Sequence, residues 1–197
     1  MKLCRYNDNK LGVVEQEQLI DVTEAIEVVP ETRWPRPHGD GLVANLDTAK
    51  TVVSTLRKWG FVQRHASVDI LSPVANPTKV IGAPTNYTKH IDEAQADPEI
   101  SQGRKRTTIE TNGLFLKTPI LVGPSEGLAL EFPDRRQDHE VELAMVIGET
   151  CKNVPYDNAL NVVAGYAIGL DMTVRGVEDR SMRKSCDGYS VLGPWLV

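Results

Sequence analysis

Apolar and polar positions alternate in short blocks at the start of the chain. Residues 3–6, 11–14 and 19–22 are apolar runs, separated by Asn7-Asp8-Asn9 and by Glu15-Gln16-Glu17. Short runs broken by turn formers or charges predict a small antiparallel meander. After the proline-rich Trp34-Pro35-Arg36-Pro37 the period changes: Leu46, Ala49, Val53 and Leu56 recur at helical spacing, with Asn45 as a cap and Gly60 as a stop. Pro73 and Pro77 then forbid regular structure and set a boundary. Beyond it, residues 79–82, 114–117, 128–132, 140–147 and 164–171 read as strands, and 157–162 as a helix started by Pro155. The pattern predicts an α+β chain, mainly β: a small mixed α/β N-terminal domain over residues 1–72 and a larger β-rich domain over 73–197.

Composition narrows the function classes. The 197 residues are 41% hydrophobic and 25% charged, enough for a packed core and too evenly mixed for disorder. Lys and Arg total 22 against 27 Asp and Glu, and the longest basic run is Arg104-Lys105-Arg106, which argues against a nucleic-acid partner. No apolar stretch approaches a membrane span, and the first residues lack an export signal. Cys4, Cys151 and Cys186 are odd in number and widely spaced, so neither a disulfide framework nor a zinc knuckle is expected, and a reducing cytoplasm fits. Small molecules and metals remain as partners.

Several residues could carry chemistry. In Glu140-Val141-Glu142-Leu143-Ala144-Met145-Val146-Ile147 the period of a strand puts Glu140 and Glu142 on one face. Spacing alone favours a strand with a solvated acidic face. A third carboxylate, Asp171, shares a face with Ala167 and Gly169, while Tyr166, Ile168 and Leu170 share the other. Three carboxylates among small residues would form an all-oxygen site suited to magnesium or manganese rather than zinc, against the plainer reading of Asp171 as a strand-end cap. His90 and Glu93 form an H-x-x-E pair in which the carboxylate can orient the imidazole as a base, although most such pairs are surface contacts. Lys117 and Lys184 could neutralise a substrate carboxylate or enolate; solvated surface lysines are the default. Cys186 beside Lys184 reads as a small buried residue more readily than as a reactive thiol.

Three pattern matches fail on context. Gly123-Pro124-Ser125-Glu126-Gly127 satisfies G-x-S-x-G but is not followed by a helical pattern; a serine hydrolase using Ser125 would need strand, turn and helix across residues 120–135. Ser181 to Lys184 satisfies S-x-x-K without its companion motifs, and Gly39-Asp40-Gly41 follows prolines where a dinucleotide loop requires a strand.

In order along the chain, these residues resemble the fumarylacetoacetate hydrolase family, in its prokaryotic hydrolase and isomerase branch. The resemblance runs through Lys79 to Glu93, Phe115-Leu116-Lys117-Thr118-Pro119, Gly123-Pro124, Asp138 to Gly148, Gly165 through Arg175, and Lys184 through Trp195. It implies a mixed β-sandwich roll after the N-terminal domain. It also implies metal binding by Glu140, Glu142 and Asp171, with Mg2+ or Mn2+ as cofactor and Ca2+ as a further occupant. His90 with Glu93 would move protons, Lys184 would stabilise negative charge, and Tyr87, Lys117, Arg175 and Glu178 would border the substrate. The implied activity is C–C hydrolysis of a dicarbonyl or 2-oxo acid of the acylpyruvate or fumarylacetoacetate kind, or the related isomerisation or decarboxylation of a hydroxymuconate-type diacid, within aromatic catabolism and by a cytoplasmic homodimer.

The chain departs from the family pattern in three places. Glu178 stands where the family often has Gln, which changes the charge beside the metal. The segment from Glu178 to Lys184 is short, as in the isomerase branches. The chain stops at Val197, whereas the family continues with strands carrying a Gly-Thr-Pro substrate loop, so an incomplete roll with low or absent activity is expected. The alternative function is therefore a catalytically incompetent metal-binding domain acting only as an interaction partner.

Overall fold

The computed structural model describes residues 1–32, 34–35, 39–84, 86–87, 89, 91–92, 96–101 and 109–197. The meander forms as predicted: β1 (Lys2–Tyr6), β2 (Lys10–Glu15) and β3 (Gln18–Asp21) pair antiparallel, turning at Asn7 and Asn9 and at Gln16, all at positive φ. Asparagine tolerates that conformation better than most residues, which is why these turns are readable. A 3-10 turn over Thr23–Val28 follows, then α1 (Gly41–Ala44) and α2 (Leu46–Leu56). Asn45 precedes α2 but does not cap it through its side chain, correcting the expectation: its Nδ2 donates to Gly41 O at 2.8 Å. The side-chain cap in this region belongs to α1: the Asp40 carboxylate accepts from the amides of Leu42 and Val43 at 3.0 and 3.1 Å, and from Ala75 and Asn76 across the loop.

Two short strands that the sequence pattern did not predict, β4 (Val62–Arg64) and β5 (Ile70–Leu71), complete the first sheet in the order β4-β3-β2-β1-β5. Both of its faces are covered. Leu3, Leu11, Val13, Ile20 and Val22 pack against Ala25, Leu46 and Val53, while Cys4, Tyr6, Val14, Leu19 and Ile70 pack together with Val68 and Trp195. Burial pushes the Cys4 thiol up to about 12, so this cysteine is inert packing.

The second half is built on long strands. β6 (Val80–Gly82) pairs with β7 (Phe115–Lys117), with the short helices α3 (Pro98–Ser101) and α4 (Ile109–Asn112) between them in sequence. β8 (Leu121–Val122), β9 (Gln137–Ile147), β10 (Val163–Val174) and β11 (Ser190–Gly193) form a sheet in the order β8-β11-β10-β9, with α5 (Arg180–Lys184) between β10 and β11 in sequence. Residues 128–132, expected as a strand, are irregular: Phe132 lies at positive φ before Pro133, and the carbonyls of Glu131 and Phe132 accept from Gln137 Nε2 instead of a neighbouring strand. The predicted helix after Pro155 exists, but as a 3-10 helix over Tyr156–Val162. Leu3 and Leu196 exchange backbone hydrogen bonds of 2.9 and 2.7 Å, tying the first sheet to the last residues of the second half.

Candidate active site

β9 and β10 set the site. Their antiparallel register places Glu140 opposite Asp171, Glu142 opposite Gly169 and Asp138 opposite Thr173, all on one face of the sheet. That face is the inner one, which corrects the expectation of a solvated acidic face. Along β9 the polar and small residues Glu140, Glu142 and Ala144 are half-buried, whereas Val141, Leu143 and Met145 are 63%, 63% and 59% exposed. Asp171 is no strand-end cap either, since β10 continues to Val174. A Cβ on Gly169 would meet Glu142 Cβ at 3.8 Å and Ala144 Cβ at 3.5 Å, so the missing side chain leaves room beside Glu142.

Three cations meet these carboxylates. Lys184 Nζ, delivered by the last turn of α5, donates to Glu140 Oε2 and Asp171 Oδ2 at 2.6 Å each and to Thr173 Oγ1 at 2.7 Å. Lys117, at the end of β7, donates to Asp171 Oδ1 and to the Tyr189 carbonyl at 2.9 Å. Arg175, just past β10, donates from Nη2 to Glu140 Oε1 at 2.6 Å and from Nε to Asp138 Oδ2 at 2.7 Å. Lys117 and Lys184 are 8% and 6% exposed, so neither is the solvated surface lysine expected by default. Burial holds the Lys117 ammonium below its ordinary value against the opposing pull of Asp171. For Glu140 burial acts upward, but Lys184 and Arg175 outweigh it and keep the carboxyl below the usual range.

The remaining predicted residues are placed as follows. His90 and Glu93 lie outside the described residues. The Tyr87 hydroxyl accepts from the Leu143 amide at 3.2 Å, on the edge of β9 away from β10. Glu178 takes a bidentate contact from Arg135, at 3.0 and 2.7 Å, which offsets the charge it adds where the family often has Gln. Cys186 is half-buried, not buried as its plain reading expected, and that burial raises its thiol. Residues 120–135 hold no helix, so the strand-turn-helix that a nucleophilic Ser125 would need is missing; Ser125 Oγ accepts from the Ile70 amide at 2.8 Å, joining the two halves of the chain. Asp138, Arg135 and Arg136 belong to the same network and were not singled out from sequence, because an Arg-Arg-x-Asp stretch before a strand has no distinctive spacing.

The donor set fits a hard divalent cation, being all carboxylate and grouped on one sheet face with space at Gly169. Among the described residues, no three His, Cys, Asp or Glu side chains are gathered at metal-ligand spacing. An ion held by Glu140 and Asp171 would take oxygens that accept from Lys117, Lys184 and Arg175 in this structure.

Residues 79–197 match the family model described as fumarylacetoacetate (FAA) hydrolase C-terminal, and the chain belongs to this family. Among its relatives is the maleylpyruvate hydrolase of Aquipseudomonas alcaligenes, 52% identical over 200 residues, covering 100% of this chain and 70% of the relative. The crystal structure of maleylpyruvate hydrolase from Sphingobium sp. SYK-6, in complex with manganese(II) and pyruvate, superimposes with a TM-score of 0.76 at 30% identity, covering 100% of this chain and 67% of that one. The 5-carboxymethyl-2-hydroxymuconate delta-isomerase of Mycobacterium smegmatis shares the fold, with a TM-score of 0.61 at 24% identity, over 100% of this chain and 66% of that one. The chain spans about half the length of several other curated relatives. Its kinship is therefore with hydrolases. No helix among the described residues is long and apolar enough to cross a membrane.

Proposed function

We propose that the chain is a divalent-metal-dependent hydrolase of acylpyruvates, with maleylpyruvate or a close analogue as substrate. The observation that carries this reading is the inner-face cluster of Glu140, Asp171, Lys117, Lys184 and Arg175, in a chain 52% identical to a maleylpyruvate hydrolase. Glu140, Glu142 and Asp171 would hold manganese or magnesium. When bound, the ion supplies a Lewis acid for the oxygens of a 2-oxo acid. Lys184 and Lys117, kept from bulk water, offset negative charge as it grows on the pyruvate half. Arg175 pairs with the substrate carboxylate, and Tyr87 and Glu178 border the pocket. His90, oriented by Glu93, takes a proton from water as it adds to the acyl carbonyl. The C–C bond breaks with its electron pair passing to the pyruvate half as an enolate, which then accepts a proton on carbon.

Residues 1–72 serve in this reading as a buttress and 73–197 as the catalytic unit. The protein acts in the cytoplasm as a homodimer. The exposed Val141, Leu143, Met145, Ile147 and Ile168 support the dimer, because an apolar sheet face of this extent is seldom left in water.

The test is a coupled assay for pyruvate release from maleylpyruvate by the manganese- or magnesium-loaded chain. Turnover that Glu142→Ala, Asp171→Ala and a chelator each abolish is expected. Metal binding without turnover of maleylpyruvate, fumarylpyruvate or oxaloacetate would replace this reading with that of a catalytically incompetent metal-binding domain.

A further inference from the structure

We infer that Asp138 is a positioning residue that aims Arg175 at the substrate carboxylate, with Arg136 holding Asp138 in turn; the role of that carboxylate rests on the acylpyruvate reading above. Arg175 has two of its three guanidinium nitrogens committed, Nε to Asp138 at 2.7 Å and Nη2 to Glu140 at 2.6 Å. Among the described residues Nη1 carries no hydrogen bond. A planar guanidinium tied at two nitrogens loses rotation about its last dihedral angles, so its third nitrogen faces one direction. The anchor to Glu140 is shared with Lys184. The anchor to Asp138 alone lies outside the carboxylates read as metal ligands, so it sets the direction of Arg175 independently of them.

The stretch before and at the start of β9 grips Arg175 at further points. The Arg175 amide donates to the Arg136 carbonyl at 2.9 Å, and the Arg175 carbonyl accepts from Arg135 Nη2 at 2.7 Å. Asp138 is itself fixed: Arg136 donates from Nε to Oδ1 at 3.0 Å and from Nη2 to Oδ2 at 3.2 Å. Arg136 Nη1 reaches Asp97 and Glu99 at 2.9 Å each. An unbroken chain of alternating charge thus runs from Asp97 and Glu99 through Arg136, Asp138 and Arg175 to Glu140. Its outer pairs are exposed and add little stability, yet they restrict where Asp138 can sit.

A carboxylate contact made equally in ground state and transition state is expressed in KM and not in kcat. With the manganese-loaded full chain, Asp138→Asn is expected to raise KM for maleylpyruvate about tenfold with kcat within about threefold, and to weaken pyruvate binding in calorimetry about tenfold. Manganese affinity stays within about twofold, and Asp138→Glu, which restores the charge, returns KM to within about threefold of wild type. Arg136→Ala shows the same pattern at about threefold and carries the test if Asp138→Asn does not fold. Unchanged KM and pyruvate affinity, a loss confined to kcat, or a parallel loss of manganese affinity overturns the inference. A wild type that binds pyruvate without hydrolysing maleylpyruvate removes the acylpyruvate reading alone, and Asp138 is then judged on pyruvate affinity. A wild type that binds no pyruvate overturns both.

Discussion

The two large sheets are used in opposite ways. In the first, β2 is buried at Leu11, Gly12, Val13 and Val14 in succession, because α2 and the Thr23–Val28 turn cover one face and Trp195 with Val68 helps to cover the other. In the second, β9 alternates without a fully buried position, and its apolar side faces outward while its carboxylates face in. Period-two alternation reports that a strand has two different faces. Which face is inner depends on what the rest of the fold brings against it, here Lys117 and Lys184.

The largest expected effect comes from removing the central cation of the inner face. Lys184→Met leaves Glu140 and Asp171 facing each other with Lys117 and Arg175 as remaining partners, and unfolding by denaturant should report a loss of about 3 kcal/mol or more. Next comes the contrast between equivalent leucines. Leu19→Ala, at a fully buried position of the first sheet, should cost about 2–5 kcal/mol, whereas Leu143→Ala on the outer face should change monomer stability by about 0.5 kcal/mol or less. Equal losses at the two positions would show that the outer face is packed as tightly as the first core. The smallest effect is that of pH. The folded-state pKa of Glu140 is depressed, so its contribution is present above the ordinary glutamate value and disappears as pH falls through the depressed one. Melting curves of the metal-free wild type and of Glu140→Gln should therefore differ in acid slope, with the wild type losing stability more steeply.

The meander and α2 were legible because each is local: the apolar runs, their Asn turns and the helical spacing lie within about a dozen residues of each other. β4, β5, β8 and β11, of two to four residues, were not legible, since each owes its existence to a distant partner such as Ser190 opposite Leu121. At the site, Glu140, Glu142 and Asp171 could be placed on strand faces from their spacing, and their facing each other across one sheet follows from the register. The ion pairs to Lys117, Lys184 and Arg175 could not be read so, because they join residues 13 to 54 positions apart. Lys117 and Lys184 stood out only as candidate cations, and Arg175 came from the family resemblance alone.

Gly123 and Ser125 have a mechanical consequence. A Cβ on Gly123 would lie 2.3 Å from the backbone of Leu71 and Ser72, and Ser125 exchanges two hydrogen bonds with Ile70, through its amide at 3.0 Å and its hydroxyl at 2.8 Å. The backbone leading from β8 therefore crosses β5 at contact distance and is clasped there. Sliding the two halves past each other at this crossing would break both bonds, so the crossing fastens the segment after β8 to the edge of the first sheet.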